Sequence, residues 1–257
     1  MKEARFFYAP DAPAADELSA DEAVHALRSL RLTVGDELFL IDGRGTFFRA
    51  VVTLTAARRC FYKILAELPQ HKSWHGHIHI AVAPTKMNER MEWLTEKATE
   101  IGFDEMTPLS CTLSERKVLR RERLEKITIA AMKQSRKPWK PVINEMQPFR
   151  AFVQQPRSGR KFIACCHEDM KRHDLTGELL AEGRDWSRPL HDRTGDITVM
   201  IGPEGDFTTD EVQLAMTYGY TPVTLGNSRL RTETAALFAV MLSQTANRIK
   251  IRDKSEE

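Results

Sequence analysis

The chain has 257 residues, enough for one large or two small domains, and 42% of them are hydrophobic, enough for a packed core. A net charge of +2 excludes a uniformly basic nucleic-acid binder, so any nucleic-acid surface must be local. No apolar run is long enough to span a bilayer, and no basic-apolar-small leader pattern is present, so the expectation is a cytoplasmic protein without a membrane partner.

Residues 1–72 read mainly as β structure. Val34-Gly35-Asp36 precedes the apolar run Glu37–Ile41, Asp42-Gly43 opens a turn, and Phe47–Leu54 and Phe61–Leu65 follow as strands. A short helix fits Ala20–Ser29 with Ser19 as its N-cap. Short strands at close spacing suggest a small barrel. Arg28 and Arg31 fall three apart on one helical face. With Arg5 and Arg44 they are candidates for phosphate contact, against the alternative of a solvated basic edge.

Pro69–Gly76 is polar and reads as a linker. His75, His77 and His79 alternate and would share one strand face, which raises the question of a metal. With no Cys or carboxylate beside them in sequence, the expectation is a surface strand edge and no metal site. Cys60, Cys111, Cys165 and Cys166 have no CxxC spacing and are expected to be reduced thiols.

From Ile78 onward strands and helices alternate, which points to a parallel sheet. The expected elements are a strand at Ile78–Ala83, a helix at Asn88–Ile101 stopped by Gly102, a strand at Met106–Ser110, a helix at Leu119–Ser135 and a strand at Lys161–Cys166 ending in His167-Glu168. The helix at 88–101 puts Met91, Leu94, Ala98 and Ile101 on one face. The stretches 115–123 and 133–140 are dense in Lys and Arg, with Trp139 among them. Such a run is a solvated helix face, or a surface that tracks a nucleic-acid backbone and stacks a base.

The stretch 197–236 holds two apolar runs that each end in a glycine-bearing loop. Ile197–Ile201 leads into Gly202-Pro203-Glu204-Gly205, and Pro222–Leu225 leads into Gly226-Asn227-Ser228. Thr208 and Glu211 between them form a capping box that starts a helix. Loops after the strand ends of an open α/β sheet are where ligands sit. Neither loop has the Gly-Lys-Ser/Thr of a P-loop or the spaced glycines of a dinucleotide site. Gly202 and Gly226 are expected to let the backbone approach a flat ligand, so that a side chain at either would intrude on it. The last helix, Thr232–Ile249, is apolar on most sides and is either central or in contact with a second subunit; residues 250–257 read as a charged tail.

The run Gly202-Pro203-Glu204-Gly205-Asp206-Phe207, followed by Leu225-Gly226-Asn227-Ser228-Arg229-Leu230-Arg231-Thr232-Glu233-Thr234-Ala235, resembles the C-terminal signature of the RsmE-type ribosomal RNA methyltransferases. Lys86, Arg90, the run Lys97–Gly102 and Gln134-Ser135-Arg136 resemble that family's inner motifs. Arg5-Phe6-Phe7, His25–Arg31 and Gly35-Asp36 are similar to its N-terminal motif. The resemblance implies a small PUA-like RNA-binding barrel over 1–72 and a knotted, parallel-sheet SPOUT methyltransferase domain over 73–249. It also implies a homodimer that uses S-adenosylmethionine to methylate a uridine at N3 in small-subunit (16S) ribosomal RNA.

On this reading Ile201, Gly202, Pro203, Glu204, Gly205, Leu225, Gly226, Asn227, Ser228, Leu230 and Thr232 bind the cofactor. Arg231, Glu204 and Glu233 are the candidates for catalysis, with a cap or an arginine partner as the plainer role of each glutamate. Arg5, Arg28, Arg31, Arg44, Lys86 and Arg136 are the candidates for RNA contact. The chain departs from the family at Asp206, where a second glycine is usual, and at Ser228-Arg229, where Arg-Ile is usual. It departs again at Lys133, where a glutamate is usual, and at Lys117, where a serine is usual. Rival readings are another target atom in RNA and a non-catalytic RNA-binding assembly factor.

Overall fold

The computed structural model describes residues 4–167, 169–181 and 195–255. The chain divides into two compact units, Met1–Lys72 with Ile129–Lys140, and Ser73–Thr128 with Pro141–Glu257.

The first unit holds a mixed sheet of β1 (Phe6–Tyr8), β2 (Glu37–Ile41), β3 (Thr46–Ala56) and β4 (Arg59–Pro69), paired in that order, with β1 parallel to β2 and the others antiparallel. Period-2 alternation sends Phe7, Leu38, Leu40, Phe48, Ala50, Val52 and Tyr62 into one core. Phe6, Phe39 and Phe47 lie on the opposite face, with the Phe6 ring centre 5.2 Å from Phe39 and 5.4 Å from Phe47. β4 outruns its apolar signal chiefly at Ala66–Pro69, a largely exposed stretch that pairs with Thr46–Arg49 without a hydrophobic mark.

Helix α1 (Ala20–Val24) passes directly into a π-helical turn at His25–Ser29, closed by Leu30 N donating to the His25 carbonyl at 3.1 Å. Ser19 occupies the N-cap position but makes no side-chain cap bond. The expected shared face of Arg28 and Arg31 is corrected here. Arg28 lies in the wide π turn, whereas Arg31 follows it in the left-handed region at φ +53, so helical spacing does not relate them.

The first unit takes in a segment beyond residue 72. Helix α3 (Arg121–Ser135) starts in the second unit and ends in the first. Lys133 Nζ sits 2.7 Å from Glu22 Oε1, and the Arg136 guanidinium sits 5.5 Å from the centre of the Phe6 ring. Gly45, at φ +113, lets the Trp139 ring lie on the backbone, since a Cβ there would be 2.2 Å from Trp139 Cη2. Trp139 is thus engaged by the chain itself instead of standing clear as a base-stacking ring.

The second unit adds β5 (Ile78–Val82), α2 (Asn88–Ile101), β6 (Glu105–Ser110), β7 (Val142–Ile143), β8 (Gln147–Pro148), α4 (Phe149–Gln154) and β9 (Arg160–Ala164). It continues with β10 (His173–Asp174), α5 (Leu175–Ala181), β11 (Ile197–Ile201), α6 (Thr209–Thr217), β12 (Thr221–Thr224) and α7 (Thr232–Ser255). Every strand pair in it is parallel, in the order β10-β12-β9-β11-β5-β6-β7, with β8 on β6. Ile78, Ile80, Val82, Val199 and Ile201 pack on one face against α2 and α7. Ala81, Ile163 and Met200 pack on the other with Phe149, Phe152, Phe207 and Val212. α7 runs past Ile249 to Ser255, so the expected tail is largely helical; Glu256, Glu257 and the expected strand-end Glu168 lie outside the described residues.

β5 is central, flanked by β11 and β6, which overturns the strand-edge expectation for His79, whereas His75 and His77 precede β5 and His77 is exposed. His79 is buried, with Nε2 2.8 Å from Thr107 Oγ1 and Nδ1 3.0 Å from the Arg157 guanidinium. Because guanidinium only donates, Nδ1 accepts and Nε2 carries the proton. The carboxylate that sequence spacing did not reveal is Glu105, 2.8 Å from His77 Nε2. No group of three or more metal-ligating side chains occurs among the described residues.

Candidate active site

β12, β9 and β11 are neighbours in the sheet, and the loops that follow them enclose a cleft of about 800 Å³. β11 supplies Ile201, Gly202, Pro203, Glu204 and Asp206; β12 and its loop supply Val223 to Thr232, followed by Ala235. β9 lies between them and supplies Ala164, Cys165 and Cys166, with Arg172 further on.

The two signature loops therefore meet in space. Of the cofactor-contact candidates, Ile201, Gly202, Pro203, Glu204, Leu225, Gly226, Asn227, Ser228, Leu230 and Thr232 line the cleft. Gly205 is off the lining, where a Cβ would meet the Leu113 side chain at 3.3 Å. Arg231 is exposed on the lining. Glu233 is not on it; the side chain is buried, with Oε1 3.6 Å from Arg90 Nε. Glu204 Oε1 accepts from the Lys86 backbone N–H at 3.0 Å, tying the loop after β11 to the loop after β5.

Other bonds fix the loops. Thr232 Oγ1 donates to the Gly202 carbonyl at 3.2 Å, joining the start of α7 to the loop after β11. The Thr208–Glu211 capping box starts α6, and Glu211 Oε1 also accepts from Thr112 N at 2.8 Å. The two glycines differ in their surroundings. A Cβ at Gly226, on the cleft lining, would meet no protein atom within 4 Å, and its φ of +107 is a further constraint. A Cβ at Gly202 would meet the Phe207 ring and backbone at 3.1 Å.

Sequence reasoning missed Ala164, Cys165, Cys166, Arg172, Asp206, Val223, Thr224, Arg229 and Ala235. The available signal was the apolar strand ending at residue 166; that it inserts between the two signature strands is a matter of topology. Burial pushes the Cys165 thiol up to about 11 and raises that of Cys166, so neither is a ready thiolate at neutral pH.

Arg5, Arg28, Arg31, Arg44 and Arg136 belong to the first unit, and Lys86 to the second. Arg28, Arg31, Arg44 and Arg136 are exposed and Arg5 is half-buried. The Arg44 guanidinium donates to the Pro10 carbonyl. Lys86 Nζ lies 3.3 Å from Glu115 Oε2.

A parallel sheet with a loop-built cleft over its strand ends, joined to a small mixed-sheet unit, defines a class that family models describe. Residues 72–244 match the RNA methyltransferase domain, and residues 18–65 match the RNA methyltransferase PUA domain. A ribosomal RNA small subunit methyltransferase E from Aquifex aeolicus is 31% identical, covering 80% of this chain and 85% of that protein. A probable rRNA-methyltransferase structure from Porphyromonas gingivalis is 41% identical with a TM-score of 0.83, covering 96% of this chain and 99% of that one. The structure of a ribosomal RNA small subunit methyltransferase E from Neisseria gonorrhoeae bound to S-adenosyl methionine is 27% identical with a TM-score of 0.77, covering 95% and 98%. The chain belongs to the ribosomal RNA small subunit methyltransferase E family.

Proposed function

We propose that this chain transfers a methyl group from S-adenosylmethionine to N3 of a uridine in small-subunit ribosomal RNA. The observation that carries the reading is the meeting of both signature loops in one cleft over the strand ends. Its lining fits the cofactor's chemistry. Ile201, Val223, Leu225, Leu230 and Ala235 offer apolar surface for a flat ring, and Arg172 and Arg229 offer positive charge for the carboxylate of an amino-acid tail.

When bound, S-adenosylmethionine supplies a methyl group already activated by its sulfonium. The chain's own work is placement and proton management. A uridine ring nitrogen is protonated at neutral pH, so methylation needs a base or a cation that stabilises the forming anion. Arg231 offers N–H donors and no acceptor, and is assigned the second role at the mouth of the cleft. Glu204, engaged by Lys86 N–H, and Glu233, buried beside Arg90, are assigned to holding loops and the start of α7.

The chain acts as a homodimer on this reading. Trp93 on α2 is 43% exposed and Met241 on α7 is 47% exposed, and these two helices pack against each other. These two side chains are the candidates for the subunit contact. The test is transfer of labelled methyl to unmethylated small subunits, followed by nucleoside mass spectrometry. N3-methyluridine is the expected product. A methylated ribose or guanine would move the target atom, and no transfer would favour a non-catalytic RNA-binding role.

A further inference from the structure

The β9 side and the β11 side of the cleft are tied together by Asp206 and His167. Asp206 Oδ2 accepts from the Cys166 backbone N–H at 2.7 Å, while Oδ1 accepts from Phe207 N at 2.8 Å. His167 Nε2 donates to the Phe207 carbonyl at 2.7 Å. Asp206 itself lines the cleft and stands at φ +68, a conformation that suits glycine better than a residue with a Cβ. A charged side chain is therefore kept where the backbone favours none, and both of its oxygens accept backbone N–H groups from two different loops.

We propose that Asp206 is a positioning residue for cofactor binding: it holds the loop after β9 against the loop after β11 and so fixes the cleft where β9 ends. The proposal rests on the reading of the cleft as the S-adenosylmethionine site. Cys166 is exposed and lines the cleft just past the last ladder bond, Cys165 N–H to the Val223 carbonyl at 3.2 Å, so releasing its N–H leaves His167 as a remaining tie between that stretch of wall and the loop after β11. Charge-assisted bonds to backbone N–H groups are the strong members of their class. Their loss is felt in the order of the wall more than in the fold, because glycine at this position relieves the backbone.

The experiment compares the wild type, Asp206→Gly and Asp206→Asn by calorimetry with S-adenosylmethionine, by steady-state kinetics, and by hydrogen exchange at the Cys166 amide. Asp206→Gly should weaken cofactor binding about tenfold, equivalent to ~1.4 kcal/mol. The loss should appear in KM for the cofactor more than in kcat, with faster exchange at Cys166 and a melting temperature within a few degrees of wild type. Asp206→Asn, which keeps one acceptor oxygen and tolerates the left-handed region, should recover part of the affinity. Unchanged affinity in Asp206→Gly, or a kcat loss with KM unaltered, overturns the proposal. Absence of cofactor binding by the wild type would overturn the cofactor reading and this proposal with it.

Discussion

Lys133 Nζ and Glu22 Oε1 are 2.7 Å apart, with the Glu22 side chain nearly buried. The lysine stands where the family resemblance expects a glutamate, and two carboxylates there would repel each other. Removing one partner leaves the other charge poorly solvated. Lys133→Ala should therefore destabilise the chain by about 1–3 kcal/mol, below the fully buried range because Lys133 keeps some solvent contact. Urea unfolding of Lys133→Ala, Glu22→Ala and the double variant measures this. Additive losses in the cycle would show that the pair has no coupling.

His79 makes stability depend on pH. Burial lowers its folded pKa from 6.5 to about 3, with the attraction of Glu105 opposing the shift and the Arg157 charge adding to it. Between those values the unfolded chain binds a proton that the folded chain refuses. Stability therefore falls as pH falls, starting near 6.5, by up to ~1.4 kcal/mol per pH unit. Glu105 is lowered to about 2, first by its bond to His77, so its own loss of stability has the same sign but begins only below 4.5. The window from pH 6.5 to 4.5 thus separates the histidine from Glu105. His79→Gln should be less stable at pH 7 yet show a flatter decline across that window. Equal slopes in urea melts of the two proteins would discard the assignment.

Sequence patterning reaches furthest where one segment carries its own evidence. Thr208 and Glu211 announce α6 and do form both capping bonds, and the row Met91, Leu94 and Ala98 with Gly102 after it marks α2 to the residue. Cleft residues inside the two glycine loops were legible because glycine and the family motif mark them. The β9 contribution was not, because strand order brings Cys165 and Cys166 between two loops distant in sequence. His79 shows the same limit. An alternating His row reads as an edge strand until Thr107 and Arg157 arrive from elsewhere to satisfy both ring nitrogens. The share of α3 that belongs to the first unit was hidden likewise, since its basic run gives no sign of Glu22 or of the backbone at Gly45.

The two cleft glycines should fail for different reasons. Gly226→Ala meets no atoms, but φ +107 is strained for any residue with a Cβ, at a cost of about 1–3 kcal/mol. The loop after β12 should relieve that strain by moving, so cofactor affinity should drop while the melting temperature changes little. Gly202→Ala presses on the Phe207 ring and backbone, and should lower the melting temperature as well. Calorimetry paired with thermal melts distinguishes them, and a Gly226→Ala protein with wild-type affinity would show that the loop conformation does not govern the cofactor.

Substitution of Arg231 tests whether its side chain serves RNA binding or chemistry. It is exposed on the cleft lining immediately before α7, while its neighbour Thr232 is turned inward to the Gly202 carbonyl. A side chain so placed is free to reach toward RNA at the mouth. Arg231→Ala should leave S-adenosylmethionine affinity nearly intact, because the backbone of its loop is unchanged. If the guanidinium stabilises negative charge as the uridine nitrogen loses its proton, the single-turnover rate at saturating RNA should fall on the order of a hundredfold, as for a missing oxyanion-type donor. If it grips phosphate only, saturating RNA should restore the rate, and the slope of log affinity against log salt should shrink by about one unit. Arg231→Lys refines the distinction: it keeps the charge without the planar fork, so it should rescue a phosphate grip better than a directed contact to the ring. A normal single-turnover rate for Arg231→Ala at saturating RNA would remove Arg231 from the chemistry, and a large loss of cofactor affinity would place its side chain inside the cofactor site instead of at the mouth.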